Sequence, residues 1–264
     1  MSVEAITVAE RRRSPRLRLF VHQLRAEHLV FWRSKEAALF IFIFPILLFV
    51  LLGSVYSGKI YGVPASQAVL AGLIGYGCAN TAFAGLAIQL VIRRENAILK
   101  RLRATPLPAS MYVAALLVST LVVFALQTIA LFLIGRAFYG TPFPTAWGSL
   151  VLAVIVGAAA FASLGVATSS LIRSAEGSSA VVNFILLPMA FLTGSFGPTR
   201  HYPSFLRAVG DALPLKYFID LMNAIYLHGE ALWTKPLALG VLGAWGAAGL
   251  VVAVFRFRWV PREG

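Results

Sequence analysis

The residues with most to offer chemically lie in one run, Arg93–Pro108, which reads RRENAILKRLRATPLP and holds five basic side chains and one carboxylate. Two long apolar runs flank it. Ile98, Leu99 and Leu102 recur at helical spacing while Lys100, Arg101 and Arg103 fall on other sides, which predicts a short amphipathic helix. Pro106 and Pro108 end that helix and restart the chain as the next apolar run. Two roles fit a charged helix between two apolar runs. Its charges hold the loop on the cytoplasmic side of a membrane, or its surface docks a soluble partner.

No catalytic set accompanies it. His22, His28, His201 and His228 are scattered, and neither H-E-x-x-H nor G-x-S-x-G occurs. Glu230 beside His228 is a pair that chance supplies readily. The phosphate-cradling G-x-x-x-x-G-K-[ST] is absent, so any energy from ATP must come through another polypeptide. Cys78 is the single cysteine and sits in an apolar run, which excludes an intrachain disulfide or a cysteine metal site and predicts a small buried hydrophobe. These residues predict a chain that binds no cofactor or metal and is not itself an enzyme.

The elements that must position the basic run are membrane spans. Of 264 residues, 59% are hydrophobic and only 12% charged, with a mean hydropathy of +0.82. Soluble domains carry about a quarter charged residues, so this is an integral membrane protein. The net charge of +13 does not indicate nucleic acid, because the basic residues cluster between apolar runs. It reflects Lys and Arg retained in the cytoplasm against anionic lipid.

Six apolar runs predict six transmembrane helices, at about 37–57, 68–92, 110–138, 147–172, 180–196 and 237–255. The fifth is the shortest. None alternates like a barrel strand, so the expected class is all-α. The first run is too long for a signal-peptide core and no A-x-A site follows it, so it is expected to be retained. Segment 1–36 is expected to be cytoplasmic: an Arg-rich tail over 1–14, then a basic amphipathic helix in which Arg16, Phe20, Leu24, Phe31 and Trp32 mix charge with apolar and aromatic groups. That composition suits a helix lying in the membrane interface, or a soluble helix preceding the first span. Residues 37–264 then form the transmembrane domain. With the N-terminus inside, seventeen Lys and Arg fall on the inner side and six on the outer. Both termini and the 93–108 loop are therefore expected in the cytoplasm.

The outer segment 197–236 is half apolar. Phe205, Leu206, Val209 and Leu213 predict one short helix, and Tyr217, Phe218, Leu221 and Ile225 another, parted at Leu213-Pro214. Such helices lie on the bilayer or dip into it where protein covers their backbone. The spans lack interior ionisable residues, which argues against ion-coupled transport. Asn80, Thr81, Gln89, Gln127, Thr128 and Asn183 serve either as interhelical hydrogen bonds or as substrate contacts. Phe44, Tyr76, Asn80, Thr81, Asn183 and Thr193 are the candidate substrate path. Small residues at Ala71, Gly75 and Ala79, at Gly157 and Gly165, and at Gly240, Ala244 and Ala248 permit close helix approach, within the chain or at a dimer seam.

Arg94 through Pro108 resembles the cytoplasmic loop of ABC-2 type permeases, in which an acidic residue precedes Gly-Thr-Leu, a basic cluster and a closing Thr/Ser-Pro-Leu/Ile. Glu95, Leu99, Arg101, Leu102, Thr105 and Pro106 match, while Ala97 and Ile98 stand where Gly-Thr is common. Ala being the better helix former, that departure is expected to leave the helix intact. Leu213-Pro214 with Tyr217 is similar to the family's L-P-x-x-Y/W element, and the order of features resembles the drug-resistance and nodulation-export subgroup.

The resemblance implies a permease subunit of a bacterial ABC exporter, multi-pass in the cytoplasmic membrane. It implies two ATPase subunits that hold ATP and Mg, and a second permease, identical or homologous. Arg94, Glu95, Ile98, Leu99, Lys100, Arg101, Leu102 and Arg103 would form the ATPase-coupling helix. The substrate would be a drug, a lipid or a lipid-linked glycan. The alternative is a non-transporting scaffold that recruits a soluble partner through the same loop.

Overall fold

The computed structural model describes residues 16–56, 58–60, 62–257 and 259, with the backbone alone at Ala37. The Arg-rich tail expected over 1–14 lies outside the described residues. Nearly all of the rest is helix, as the long apolar runs demand. Helix α1 runs Arg16–Arg33. Ser34 leaves helical geometry, and α2 follows at Lys35–Val55 with Pro45 inside it. A two-residue hairpin, β1 (Lys59–Ile60) and β2 (Val63–Pro64), turns the chain into α3, Ala65–Cys78.

Helix α3 continues without a break through a π-helical segment, Ala79–Gly85, into α4, Leu86–Glu95. This composite rod is the centre of the fold. Leu70, Leu73, Ile74 and Cys78 have no exposed surface, and the rod packs against α2 and against α6, α7 and α10 described below. The helix that holds the second apolar run therefore begins before residue 68 and continues past 92, through its basic end.

After the basic loop, α6 runs Ala109–Tyr139, opened by Pro108 and closed by Gly140 in the left-handed conformation at φ 61°. Helix α7 is Trp147–Leu171, α8 is Ser178–Leu192 with Pro188 inside, and α11 is Pro236–Arg256. Among the described residues, five helical stretches are long and apolar enough to cross a membrane: Ala38–Val55, Ala65–Glu95, Ala109–Tyr139, Trp147–Leu171 and Pro236–Arg256. Helix α8 has 15 residues, about 22 Å at 1.5 Å each, short of the roughly 30 Å core. Peripheral α2 and α11 expose Phe40, Leu47, Val254 and Phe255, faces that only lipid or another apolar surface would accept.

Segment 197–236 holds two α-helices, α9 (Ser204–Ala212) and α10 (Pro214–His228), divided at Leu213-Pro214, and a single 3-10 turn at Leu232–Thr234. Leu215, Phe218, Leu221, Met222 and Ile225 of α10 are fully buried, so this helix is part of the core. Two glycines make room for it. A Cβ on Gly75 would lie 2.5 Å from Ile219, and one on Gly157 would lie 2.3 Å from Phe218. Gly165 likewise faces the carbonyls of Ala82 and Phe83. The small residues in the second and fourth apolar runs thus seat neighbours within the chain, whereas Gly240 meets nothing within 4 Å. Glu230 accepts from the Thr234 hydroxyl at 2.9 Å and pairs with Lys235 at 3.2 Å. Those two partners, Thr234 first, hold its carboxyl below its ordinary pKa.

Candidate functional site: the basic loop and the adjoining cavity

Arg93 and Arg94 are adjacent on α4, and helical geometry sends adjacent side chains about 100° apart. Both are buried. Arg93 turns to α1 and α6, pairing with Glu27 at 2.7 Å and donating to the Tyr112 hydroxyl at 2.8 Å. Arg94 turns to α7 and donates to the Ser169 carbonyl at 2.8 Å and the Ile172 carbonyl at 2.5 Å. Carbonyls at a helix C-terminus lack intrahelical donors, and a cation there also meets the negative end of the dipole. Glu95 accepts the backbone N–H of Ala175 in the α7–α8 turn. The first two cations of the basic run therefore bind the molecule to itself.

The helix does not continue from Glu95 to Arg103. Ala97 adopts φ 56° and ψ 16°, the only non-glycine residue with positive φ among those described, and α5 is only Ile98–Arg103. The expectation that alanine leaves the helix intact is corrected here. The position calls for a left-handed residue, so alanine is strained where glycine would not be. Past the break, Leu99 is fully buried and anchors α5, while Lys100, Arg101 and Arg103 are exposed and Leu102 is half-buried. Of the eight residues expected to couple to a partner, Arg94 and Leu99 face inward. Glu95, Ile98, Lys100, Arg101 and Arg103 remain accessible.

Beside this loop lies a cavity of about 410 Å³ between α1, α2, the π-segment, α4 and α6. Its wall is mainly apolar, with Phe31, Phe40, Ile88 and Val123, and the Glu27–Arg93 pair closes one end. Asn80, Thr81 and Asn183 of the candidate substrate path all reach it. The Asn80 side-chain N–H group is buried there without an acceptor among the described residues. The other three path residues lie elsewhere. Phe44 is 6.0 Å from the buried Tyr76 ring, which meets Phe196 at a tilt with centroids 5.2 Å apart, and Thr193 at the end of α8 bonds the Met189 carbonyl at 2.8 Å.

A hydrogen-bond chain fixes one wall. Pro45 has no N–H, so the Ile41 carbonyl lacks its ordinary donor four residues on. The Gln127 amide supplies one at 2.8 Å, and its oxygen accepts from Thr81 at 3.0 Å. Three long helices are thereby tied through one side chain with no exposed surface. Thr128, by contrast, bonds back to Phe124 of its own helix.

Helix α1 lies against α6. Phe20, Leu24 and Phe31 are half-buried, whereas Arg16 and Trp32 are exposed, Trp32 stacking on Phe42 at 5.6 Å. Sequence reasoning missed Glu27, whose signal was plain enough: it is the only acid in α1, on a helix otherwise cationic.

Residues 18–227 match the ABC-2 type transporter family, a range running from the start of α1 to the end of α10. Over 173 residues the chain is 26% identical to the inner membrane transport permease YhhJ of Escherichia coli, covering 64% of this chain and 46% of that protein. Over 209 residues it is 24% identical to the putative transport permease YvfS of Bacillus subtilis, covering 78% and 85% respectively. The chain thus spans about half the length of the first relative and most of the second. With five helices among the described residues fit to cross a membrane, it is a multi-pass membrane protein and belongs to the ABC-2 type transporter family.

Proposed function

We infer that this chain is the permease subunit of an ATP-driven exporter in the bacterial cytoplasmic membrane. Two separate ATPase subunits, carrying ATP and Mg, energise it, and a second permease, identical or homologous, completes the unit. Six spans cross the membrane, α8 being the short one, and both termini and the 93–108 loop are cytoplasmic. The observation that carries the reading is the construction of α5. A six-residue helix is pinned to the membrane domain by buried Leu99, and it holds Lys100, Arg101 and Arg103 in solvent together. A rigid cationic knob on the inner side is a docking element for an acidic groove. Helix α1, lying in the interface beside it, is a second contact.

The cavity supports a hydrophobic or amphiphilic cargo of the drug, lipid or lipid-linked glycan kind, as the drug-resistance and nodulation-export resemblance implies. Its apolar wall takes the acyl or aromatic part, and the unpartnered Asn80 amide offers a hydrogen bond to a polar head. Asn183 and Thr81 line the same cavity, and Phe44, Tyr76 and Thr193 would extend the path outward from it.

The test is purification of the tagged chain in mild detergent from its native membrane. A stoichiometric soluble ATPase should accompany it and be lost on Arg101→Glu with Arg103→Glu. A folded chain that purifies without an ATPase would sink the exporter reading and leave the scaffold alternative.

A further inference from the structure

We propose that Arg94 and Glu95 are positioning residues that carry motion of α5 into α8 by clamping the turn between α7 and α8. The proposal rests on the reading that α5 receives the ATPase. It differs from the expectation that these two side chains themselves touch that partner.

The connection is continuous in hydrogen bonds. Helix α5 is tied back to α4 across two residues, with Arg101 N–H donating to the Ala97 carbonyl and Ala97 N–H to the Arg94 carbonyl, each at 3.0 Å. The Arg94 guanidinium, a planar fork of fixed geometry, spans the Ser169 and Ile172 carbonyls at the end of α7. The neighbouring Glu95 carboxylate takes the Ala175 N–H. The carbonyl of the same residue, Ala175, then accepts from the backbone N–H of Ser178 at 3.1 Å and from its hydroxyl at 2.6 Å. Ser178 is fully buried and is the first residue of α8, and Asn183, on the same helix, lines the cavity.

A displacement of α5 therefore reaches the end of α7 through the Arg94 fork and the start of α8 through the Glu95 carboxylate. Arg94 is 3% exposed, with both of those bonds directed inward. Glu95 is accessible, so its role has to be separated from partner contact by chemistry. An internal acceptor needs only an oxygen, whereas a docking carboxylate needs its charge. Glu95→Gln keeps the oxygen and removes the charge; Glu95→Ala removes both.

The experiment uses the full complex of this chain with its ATPase, reconstituted in phosphatidylethanolamine–phosphatidylglycerol vesicles. Spin labels sit at Ile129→Cys on α6 and Val181→Cys on α8, both exposed positions, in a Cys78→Ala background. ATP is expected to shift the 129–181 distance in the otherwise unchanged chain and with Glu95→Gln. The shift should be lost with Glu95→Ala and with Arg94→Ala, while ATPase association and hydrolysis persist. A full shift with Glu95→Ala would overturn the clamp. So would loss of ATPase association with Glu95→Gln, since Glu95 would then be a charge contact to the partner. An unchanged chain that binds no ATPase would instead fail the exporter reading, and the clamp with it. If Arg94→Ala did not fold, the two Glu95 variants would still decide the matter.

Discussion

Gln127 should be worth more than an ordinary buried amide, because Pro45 creates the need it fills. Replacing it with Leu keeps the volume and apolar contacts but strands the Ile41 carbonyl, which has no donor at residue 45. An orphaned buried acceptor costs about 1–3 kcal/mol, while side-chain hydrogen bonds within membrane proteins average about 0.6 kcal/mol. The Thr81 hydroxyl also loses its acceptor, though a threonine on a helix can bond back to its own turn. About 1.5 kcal/mol of destabilisation is therefore expected for Gln127→Leu, most of it from Ile41.

Pro45→Ala supplies the missing N–H, so the Ile41 carbonyl is satisfied within α2. In that background Gln127→Leu should cost only about 0.5 kcal/mol, leaving a coupling of about 1 kcal/mol between two residues on different helices. Thermal unfolding in detergent, followed by intrinsic tryptophan fluorescence, reads all four members of the cycle. Equal costs of Gln127→Leu in the two backgrounds would refute the argument that proline generates the demand for the glutamine.

Glu27→Ala leaves Arg93 buried without its counter-ion and should cost about 3 kcal/mol, read as a lowered unfolding midpoint; Glu27→Gln, which keeps an acceptor oxygen, should cost clearly less. Ala97→Gly relieves about 1–2 kcal/mol of left-handed strain against about 0.5–1 kcal/mol of added chain entropy, so the unfolding midpoint should rise slightly; a fall would mean that the left-handed turn is not populated. Gly165→Ala puts a Cβ 2.7 Å from the Phe83 carbonyl oxygen and should cost about 2 kcal/mol by overpacking, whereas Gly240→Ala, with open space around it, should be neutral in the same melt.

Apolar periodicity made the all-α membrane class legible, along with the long helices and the two-part outer segment. It needs only the run of residues between charges. The length of the central helix was not legible, because charge ends an apolar run without ending the helix. Arg93, Arg94 and Glu95 continue it, since each finds a partner on another element. Such partners lie 66, 75 and 80 residues away in sequence, and no local pattern encodes them. The break at Ala97 was missed for a different reason. Helix propensity rates alanine highest, yet the turn is imposed by what flanks it: Arg94 and Glu95 held to the α7–α8 turn on one side, and Leu99 buried on the other.

That division of the basic run has a consequence for its charge. Five cations in sequence suggest one surface, but two of them are buried against Glu27, Tyr112 and the end of α7. The three left in solvent lie within one short helix. Buried pairs are screened little by salt, while exposed cations lose their reach beyond about 8 Å at physiological ionic strength. Raising salt should therefore release a partner docked on Lys100, Arg101 and Arg103 and leave the Arg93 and Arg94 contacts intact. Dissociation of the ATPase near 0.5 M salt with an unchanged unfolding midpoint is the expected result. A midpoint that fell in parallel with dissociation would mean that the buried arginines are solvated after all, and that the run is one surface.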